Sequence, residues 1–213
     1  MQTEGFFVKL YFWLDQFMKI AYVNLLWLVF SLIGLGVFGV LPAFVAVLTI
    51  IRKWMMKDTD VPIFQTFLAA FKQAFIKANL SGLIFAFIYF ILSVNYQYMM
   101  TLSGALQVVM AAAFGMNAIL FFVTLVYFYP VYVHYDLRLW GYFKQAFLFG
   151  LIHIHYVLVI GILIYGLYHL FVVIPAIILM FSPILLGLIL MPITLLSFKK
   201  IEKKKQNIAE TNT

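Results

Sequence analysis

The stretch IAYVNLLWLVFSLIGLGVFGVLPAFVAVLTII, residues 20–51, decides how many times this chain crosses a membrane. Its 32 residues would form a helix of about 48 Å, which is too long for one crossing of a hydrocarbon core of about 30 Å. The interruption GLGVFGVLP (34–42) supplies glycine and proline, which allow a membrane helix to bend or turn. A hairpin here gives the chain six spans, which we favour, whereas one kinked helix gives five.

The composition of the whole chain places it in a bilayer. Of its 213 residues, 66% are hydrophobic and only 10% are charged, and the mean hydropathy is +1.09. A soluble domain is about half apolar and about a quarter charged, so no soluble core would bury this excess. We therefore predict an all-α polytopic transmembrane helical bundle that forms a single integral membrane domain over residues 1–213.

The positions of the charged side chains predict the topology. Residues 80–135 and 145–198 contain no Asp, Glu, Lys or Arg, and each stretch fits two spans, joined near residues 101–105 and 173–175. Each stretch therefore returns to the side it left, and the positive-inside rule makes that side the cytoplasm. The hairpin then places both termini in the cytoplasm, as an N-terminal interfacial segment (1–19) and a basic tail (199–213). The same rule explains the net charge of +7, so no nucleic-acid partner is expected.

The segment FKQAF occurs twice, at residues 71–75 and 143–147, which are 72 positions apart. On a helix the aromatic side chains around each copy gather on one face, away from the basic ones. A basic helix with an aromatic face, attached to a span, is typical of a helix that lies in the membrane plane. We therefore predict two cytoplasmic interfacial amphipathic helices, whose faces contact either the bilayer or a partner protein. These faces contain Phe64, Phe67, Phe71, Phe75, Trp140, Phe143 and Phe147.

Polar side chains inside the predicted spans are the default functional candidates in a membrane protein. They are Asn24, Ser31, Ser93, Asn95, Gln97, Gln107, Asn117 and Thr124. Asn24 and Asn117 are the deepest amides and are the candidate intramembrane site residues. Hydrogen bonding between helices, worth about 0.6 kcal/mol per bond, is favoured over contact with a solute as their role.

No catalytic, metal or cofactor site is predicted. Cysteine is absent. Two pairs of possible ligands occur, His134 with Asp136 and His153 with His155, but a spacing of two residues points the side chains of each pair to nearly opposite sides of a helix. A metal site requires three or four convergent ligands. The chain also lacks a phosphate-binding glycine loop and a nucleophile elbow, so it is not expected to be an enzyme.

The order of features in the first 80 residues resembles the YesL-like family of bacterial membrane proteins. These features are NLLWL (24–28), the Gly/Pro bend, a small-residue stretch ending in RKW (52–54), and a helix with the pattern P-x-F-x-x-F-x-x-A-F (62–71). This chain has Ile33–Gly34 where the family often has a proline. The rest of the chain is similar to the family only in hydropathy and length.

The resemblance implies a multi-pass protein of the bacterial cell membrane, from a family of unknown function that is often encoded near importers and hydrolases for plant polysaccharides. We therefore expect an accessory or assembly component associated with carbohydrate uptake, with the lipid bilayer and a membrane protein such as a sugar importer as partners. The alternative is a small transporter or channel with a site at the broken first-span region. Lipid binding or sensing is a third class.

Overall fold

A computed structural model of the chain describes residues 2–58, 60–174 and 176–211, without the side chains of 2–6, 12, 176–180, 205 and 208–211. The first residue of the predicted N-terminal segment, residue 175 of a predicted turn, and the last two residues of the predicted tail lie outside this description.

The described residues form seven helices and no strand. These are α1 (Gln2–Ile33), α2 (Val37–Met55), α3 (Ile63–Thr101), α4 (Gly104–His134), α5 (Leu139–Ile152), α6 (Ile154–Val173) and α7 (Ala176–Thr211). All except α5 are long and apolar enough to cross a membrane. The prediction of a helical bundle with six spans is confirmed. Helix α3 ends at Thr101 and α4 begins at Gly104, within the predicted joint at residues 101–105, and α6 ends at Val173, where the second predicted joint begins.

The turn between α1 and α2 explains why the first apolar run is a hairpin. The N–H of Gly36 donates to Ser31 O at 2.9 Å, and the N–H of Leu35 donates to Leu32 O at 3.2 Å. These two bonds form the motif that commonly ends a helix with a left-handed residue. Leu35 and Gly36 both have positive φ, 65° and 67°, so the chain reverses direction before α2 begins.

Two glycines allow α1 and α2 to approach each other closely beside this turn. A Cβ atom added to Gly39 would lie 2.3 Å from Ser31 O and 2.7 Å from Ser31 Cα. A Cβ atom added to Gly34 would lie 2.5 Å from Gly39 Cα. The hairpin therefore depends on the absence of side chains at both positions.

The chain divides into two compact units. The first unit consists of Met1–Phe75 and Gly166–Leu188, and the second of Ile76–Tyr165 and Ile189–Thr213. Helices α3 and α7 each contribute to both units.

The first FKQAF segment belongs to the first unit and lies in α3. It does not form a helix of its own, because α3 continues without a break for 39 residues into the following span. At about 1.5 Å per residue α3 is about 58 Å long, which exceeds a hydrocarbon core of about 30 Å. The prediction of an amphipathic helix attached to a span agrees with this arrangement, in which both parts belong to one helix.

The second FKQAF segment belongs to the second unit and forms the separate helix α5. This helix packs against α4, with Tyr142 on Tyr132 at 4.7 Å between ring centroids and Phe143 on Phe128 at 4.6 Å. His153 interrupts the chain between α5 and α6, with φ −116° and ψ 42°. The two copies of FKQAF are thus both helical, but only the second is followed by a break.

Because six helices of the described residues are long and apolar enough to cross a membrane, we expect both termini on one side of the membrane. The positive-inside rule predicts that this side is the cytoplasm. Reporter fusions after residue 213 and ahead of residue 6 should both report a cytoplasmic position. An external N-terminus with an internal C-terminus would contradict six crossings.

Candidate functional site

Asn117, one of the two candidate intramembrane amides, lines a cavity of the second unit near the middle of α4. The cavity has a volume of about 350 Å³. Its walls are Phe85, Ile88, Ile91, Leu92, Asn95, Asn117, Leu120, Phe121, Thr124, Phe143 and Phe147. A smaller cavity of about 80 Å³ adjoins the same two amides, Asn95 and Asn117.

The two amides present their oxygen atoms as free acceptors. The Nδ2 group of Asn95 donates to Ile91 O at 3.0 Å, and the Nδ2 group of Asn117 donates to Ala113 O at 2.9 Å. Both side chains are exposed, and neither Oδ1 atom has a hydrogen-bond partner among the described residues. Thr124, the third polar residue of the wall, bonds to Leu120 O at 2.8 Å. The site can therefore accept hydrogen bonds from a ligand or from another helix.

The second FKQAF segment forms one side of this cavity. Phe143 and Phe147 line it, and Phe143 also packs against Phe85 at 5.2 Å and Trp140 at 5.9 Å. Trp140 itself is 73% exposed. The structure thus brings together residues of two separate predictions: Asn117, a candidate intramembrane amide, and the aromatic face of α5.

The first aromatic face packs within the first unit. Phe67 is fully buried, and Phe71 is 8% exposed. Their ring centroids lie 5.2 Å and 5.1 Å from that of Phe30 in α1. Phe64 is more exposed and lies 6.2 Å from Phe30, while Phe75 stacks edge-on against Phe71 at 5.6 Å. In this arrangement Phe67 and Phe71 contact a span of the same chain and are covered by it.

Asn24, the other candidate amide, is buried in the first unit at 3% exposure. Its Oδ1 atom has no hydrogen-bond partner among the described residues. The Oδ1 atom of Asn24 therefore does not accept the interhelical hydrogen bond that was predicted for this side chain.

His134, His153 and His155 lie at helix ends in the second unit. Among the described residues no three His, Asp or Glu side chains are grouped as metal ligands. The rings of His153 and His155 are 5.9 Å apart, closer than helical geometry predicts, because His153 lies in the break before α6. Burial lowers the pKa of His153, whose Nδ1 atom is 3.2 Å from Phe149 O. The ring is therefore neutral near pH 7, and Nδ1 is the atom that donates to this carbonyl.

A second cluster joins the end of α4 to α7 within this unit. Glu202 Oε1 lies 3.4 Å from His134 Nε2 and 3.4 Å from Tyr135 Oη. Burial, reinforced by the Glu202 carboxylate, raises the pKa of Tyr135 to about 12. The phenol therefore stays protonated and donates to Glu202, which indicates a role in holding α7 against α4.

An apolar groove lies between α4 and α6. Its volume is about 680 Å³, and its walls include Ala118, Phe122, Leu158 and Gly161. Since the side chains that line it are almost all apolar, the groove suits hydrocarbon and offers little to a polar ligand.

Sequence patterns missed two parts of this arrangement. The proximity of Asn95 to Asn117 depends on how α3 pairs with α4, and no spacing along the chain reports that register. Trp27, whose Nε1 atom is buried without a partner, lies three residues from Asn24 and four from Ser31. Helical periodicity places Asn24, Trp27 and Ser31 on one side of α1. The prediction missed this group because only Asn24 and Ser31 were counted as polar.

The comparisons with known proteins agree with the resemblance noted above. The family described as "Protein of unknown function, DUF624" matches residues 20–96. Uncharacterized protein YesV of Bacillus subtilis (strain 168) is 38% identical over 196 residues, which are 91% of this chain and 93% of YesV. Uncharacterized protein YteU of the same organism is 32% identical over 203 residues, 95% of this chain and 91% of YteU.

A third relative is uncharacterized protein YesL of Bacillus subtilis (strain 168), which is 28% identical over 194 residues, 89% of each chain. No solved structure matches the chain. The similarity to YesV and YteU extends over nearly the whole sequence. The chain therefore belongs to the YesL-like family of multi-pass membrane proteins, described as proteins of unknown function, DUF624.

Proposed function

We propose that this protein is an accessory or assembly component of a bacterial membrane complex for carbohydrate uptake. The face formed by α3 and α4 at Asn95 and Asn117, here called the amide face, receives a membrane helix of the partner. One observation supports this proposal most directly: two exposed amides lie side by side within spans, with free acceptor oxygens. The uptake context comes from the resemblance to the YesL-like family.

The physical argument concerns the cost of an amide in hydrocarbon. Lipid chains cannot donate a hydrogen bond, so an amide oxygen that faces them stays unpaired. A partner helix that donates to it removes this cost, and polar side chains are a common means of holding membrane helices together. The aromatic walls supplied by Phe143 and Phe147 add apolar contact beside the amides.

The proposal is tested by photocrosslinking and by variants of the amide face. A photoreactive amino acid at position 117 should crosslink to a membrane-spanning subunit of a sugar importer in native membranes. The variant with Asn95→Leu and Asn117→Leu should lower the recovered subunit about eightfold, since two hydrogen bonds contribute about 1.2 kcal/mol.

The matched control is Gln107→Leu, an amide of α4 that lines neither cavity, and it should leave recovery unchanged. Equal recovery from the double variant and from the unchanged protein would contradict the proposed docking face. Crosslinking to a second copy of this chain alone would contradict the accessory role.

The alternative function, a small transporter with its site at the first hairpin, is favoured by a different observation. Helix α1 buries polar atoms without partners a short distance before the turn at Gly34–Gly36. Discontinuous helices with polar groups near the break are typical of solute sites in transporters.

A further inference from the structure

Helix α1 carries three buried polar atoms without a hydrogen-bond partner in the part of the chain that the structure describes. They are Asn24 Oδ1, Trp27 Nε1 and Ser31 Oγ. Asn24 and Ser31 are only 3% and 7% exposed. Separations of three and seven residues place the three side chains on one side of α1, over about 10 Å of its axis. We call these three residues the α1 polar stripe.

The α1 polar stripe differs from other buried hydroxyl groups of the chain. Ser81 donates to Ala78 O at 2.8 Å, and Thr194 donates to Leu190 O at 2.8 Å. Buried polar groups in proteins are nearly always paired, and each exception requires an explanation. A row of three unpaired atoms on one helix is best explained by a ligand that pairs with them in another state of the protein.

The chemistry of the three atoms defines the ligand. The amide oxygen is an acceptor, the indole nitrogen is only a donor, and the serine hydroxyl is both. A hydroxyl group on the ligand serves each of them, because it also donates and accepts. After Lys19, α1 contains no charged residue, and Val23, Leu26 and Phe30 beside the stripe are buried and apolar. A charged ligand would therefore find no counter-charge on the part of α1 that follows Lys19.

We propose that the α1 polar stripe binds a small uncharged solute with several hydroxyl groups, and that this conformation is the closed form of the site. The three atoms are shielded from solvent here, so binding requires α1 to separate from the elements that cover it. This inference rests on the alternative function, a small transporter with its site at the first hairpin. The experiments below test binding, whereas solute flux into proteoliposomes tests transport separately.

Cysteine labelling tests whether the stripe opens, because the chain has no cysteine of its own. The probe is the uncharged 2-hydroxyethyl methanethiosulfonate, which reacts with a thiolate and so needs water at the thiol. With the protein in liposomes, Ser31→Cys should react at least about tenfold faster than Ser81→Cys, a matched buried serine whose hydroxyl is paired. The anionic sulfonatoethyl reagent should react far more slowly at position 31. Equal rates for the two variants, or equal rates for the two reagents, would overturn the proposal.

A second measurement uses the unchanged stripe, in case Ser31→Cys does not fold. In a variant with Trp13→Phe, Trp54→Phe and Trp140→Phe, Trp27 is the only tryptophan of the chain, and excitation at the red edge of the absorption band, which tyrosine does not absorb, isolates its fluorescence. Acrylamide, a small uncharged solute, should quench this fluorescence, whereas iodide should not. Failure of both quenchers would show a permanently closed site, and equal quenching by iodide would contradict selectivity for an uncharged ligand; either result would overturn the proposal.

Discussion

Gly39→Ala is expected to destabilise the first hairpin more than any other small substitution in the chain. The added Cβ atom would lie 2.3 Å from Ser31 O and 2.7 Å from Ser31 Cα. Both are backbone atoms, so no side-chain rotation relieves the clash, and α1 must separate from α2. Overpacking costs about 1–3 kcal/mol and occasionally more. Because the clashing atoms belong to the backbone of α1, we expect a loss of stability at the upper end of this range.

Thermal unfolding in mild detergent, followed by size-exclusion chromatography, measures the effect. For a chain of this length, about 3 kcal/mol corresponds to a fall in the melting temperature of about 6–12 °C. The matched control is Gly115→Ala in α4, where no heavy atom lies within 4 Å of the added Cβ. Alanine is about 1 kcal/mol more favourable than glycine inside a helix, so this control should not lower stability. Equal melting temperatures for the two variants would show that α1 and α2 do not pack as described.

Phe71→Asp is the second substitution with a large expected effect, and we expect it to lower the amount of protein in the membrane sharply. Phe71 is 8% exposed, and its ring lies against Phe30 and Phe75. Loss of a buried phenylalanine costs about 3–5 kcal/mol, and the new carboxylate would also be buried without a counter-charge. Phe143→Asp should behave in the same way, because Phe143 packs against Phe85 and Phe128.

The neighbouring lysines provide the matched comparison. Lys72 and Lys144 are exposed, and a basic residue near an anionic leaflet contributes about 1 kcal/mol. Lys72→Gln and Lys144→Gln should therefore leave membrane abundance nearly unchanged, as measured by in-gel fluorescence of a C-terminal fusion. If the phenylalanine variants keep normal abundance but lose a co-purified partner, the aromatic faces dock that partner and the packing argument is wrong.

The FKQAF repeat shows why an identical sequence does not have an identical environment. Both copies form helix, because the same local pattern of aromatic and polar residues favours it in each case. Phe71 nevertheless packs against α1, whereas Phe143 packs against α3 and α4 and borders the cavity of Asn117. The neighbours of each ring come from distant parts of the chain, so the five shared residues carry no information about them.

The sequence by itself determined the helical class and where the apolar runs are interrupted, and it favoured six spans over five. These properties depend on local quantities: the length of each apolar run, the glycines at residues 34, 36 and 39, and the absence of charge from residues 80–135 and 145–198. A bilayer stabilises each apolar helix almost independently of how the helices pack, because the helix satisfies its own backbone hydrogen bonds.

Only the tertiary structure decided which polar groups meet and which do not. It placed Asn95 beside Asn117, brought His153 to within 5.9 Å of His155 through a break in the helix, and left the α1 polar stripe unpaired. The physical reason is that helix pairing inside a membrane has little hydrophobic driving force and depends on close packing and on a few hydrogen bonds. The register of α3 on α4, or of α1 on α2, depends on how two helix surfaces fit together, so it cannot be predicted from the sequence of either helix alone.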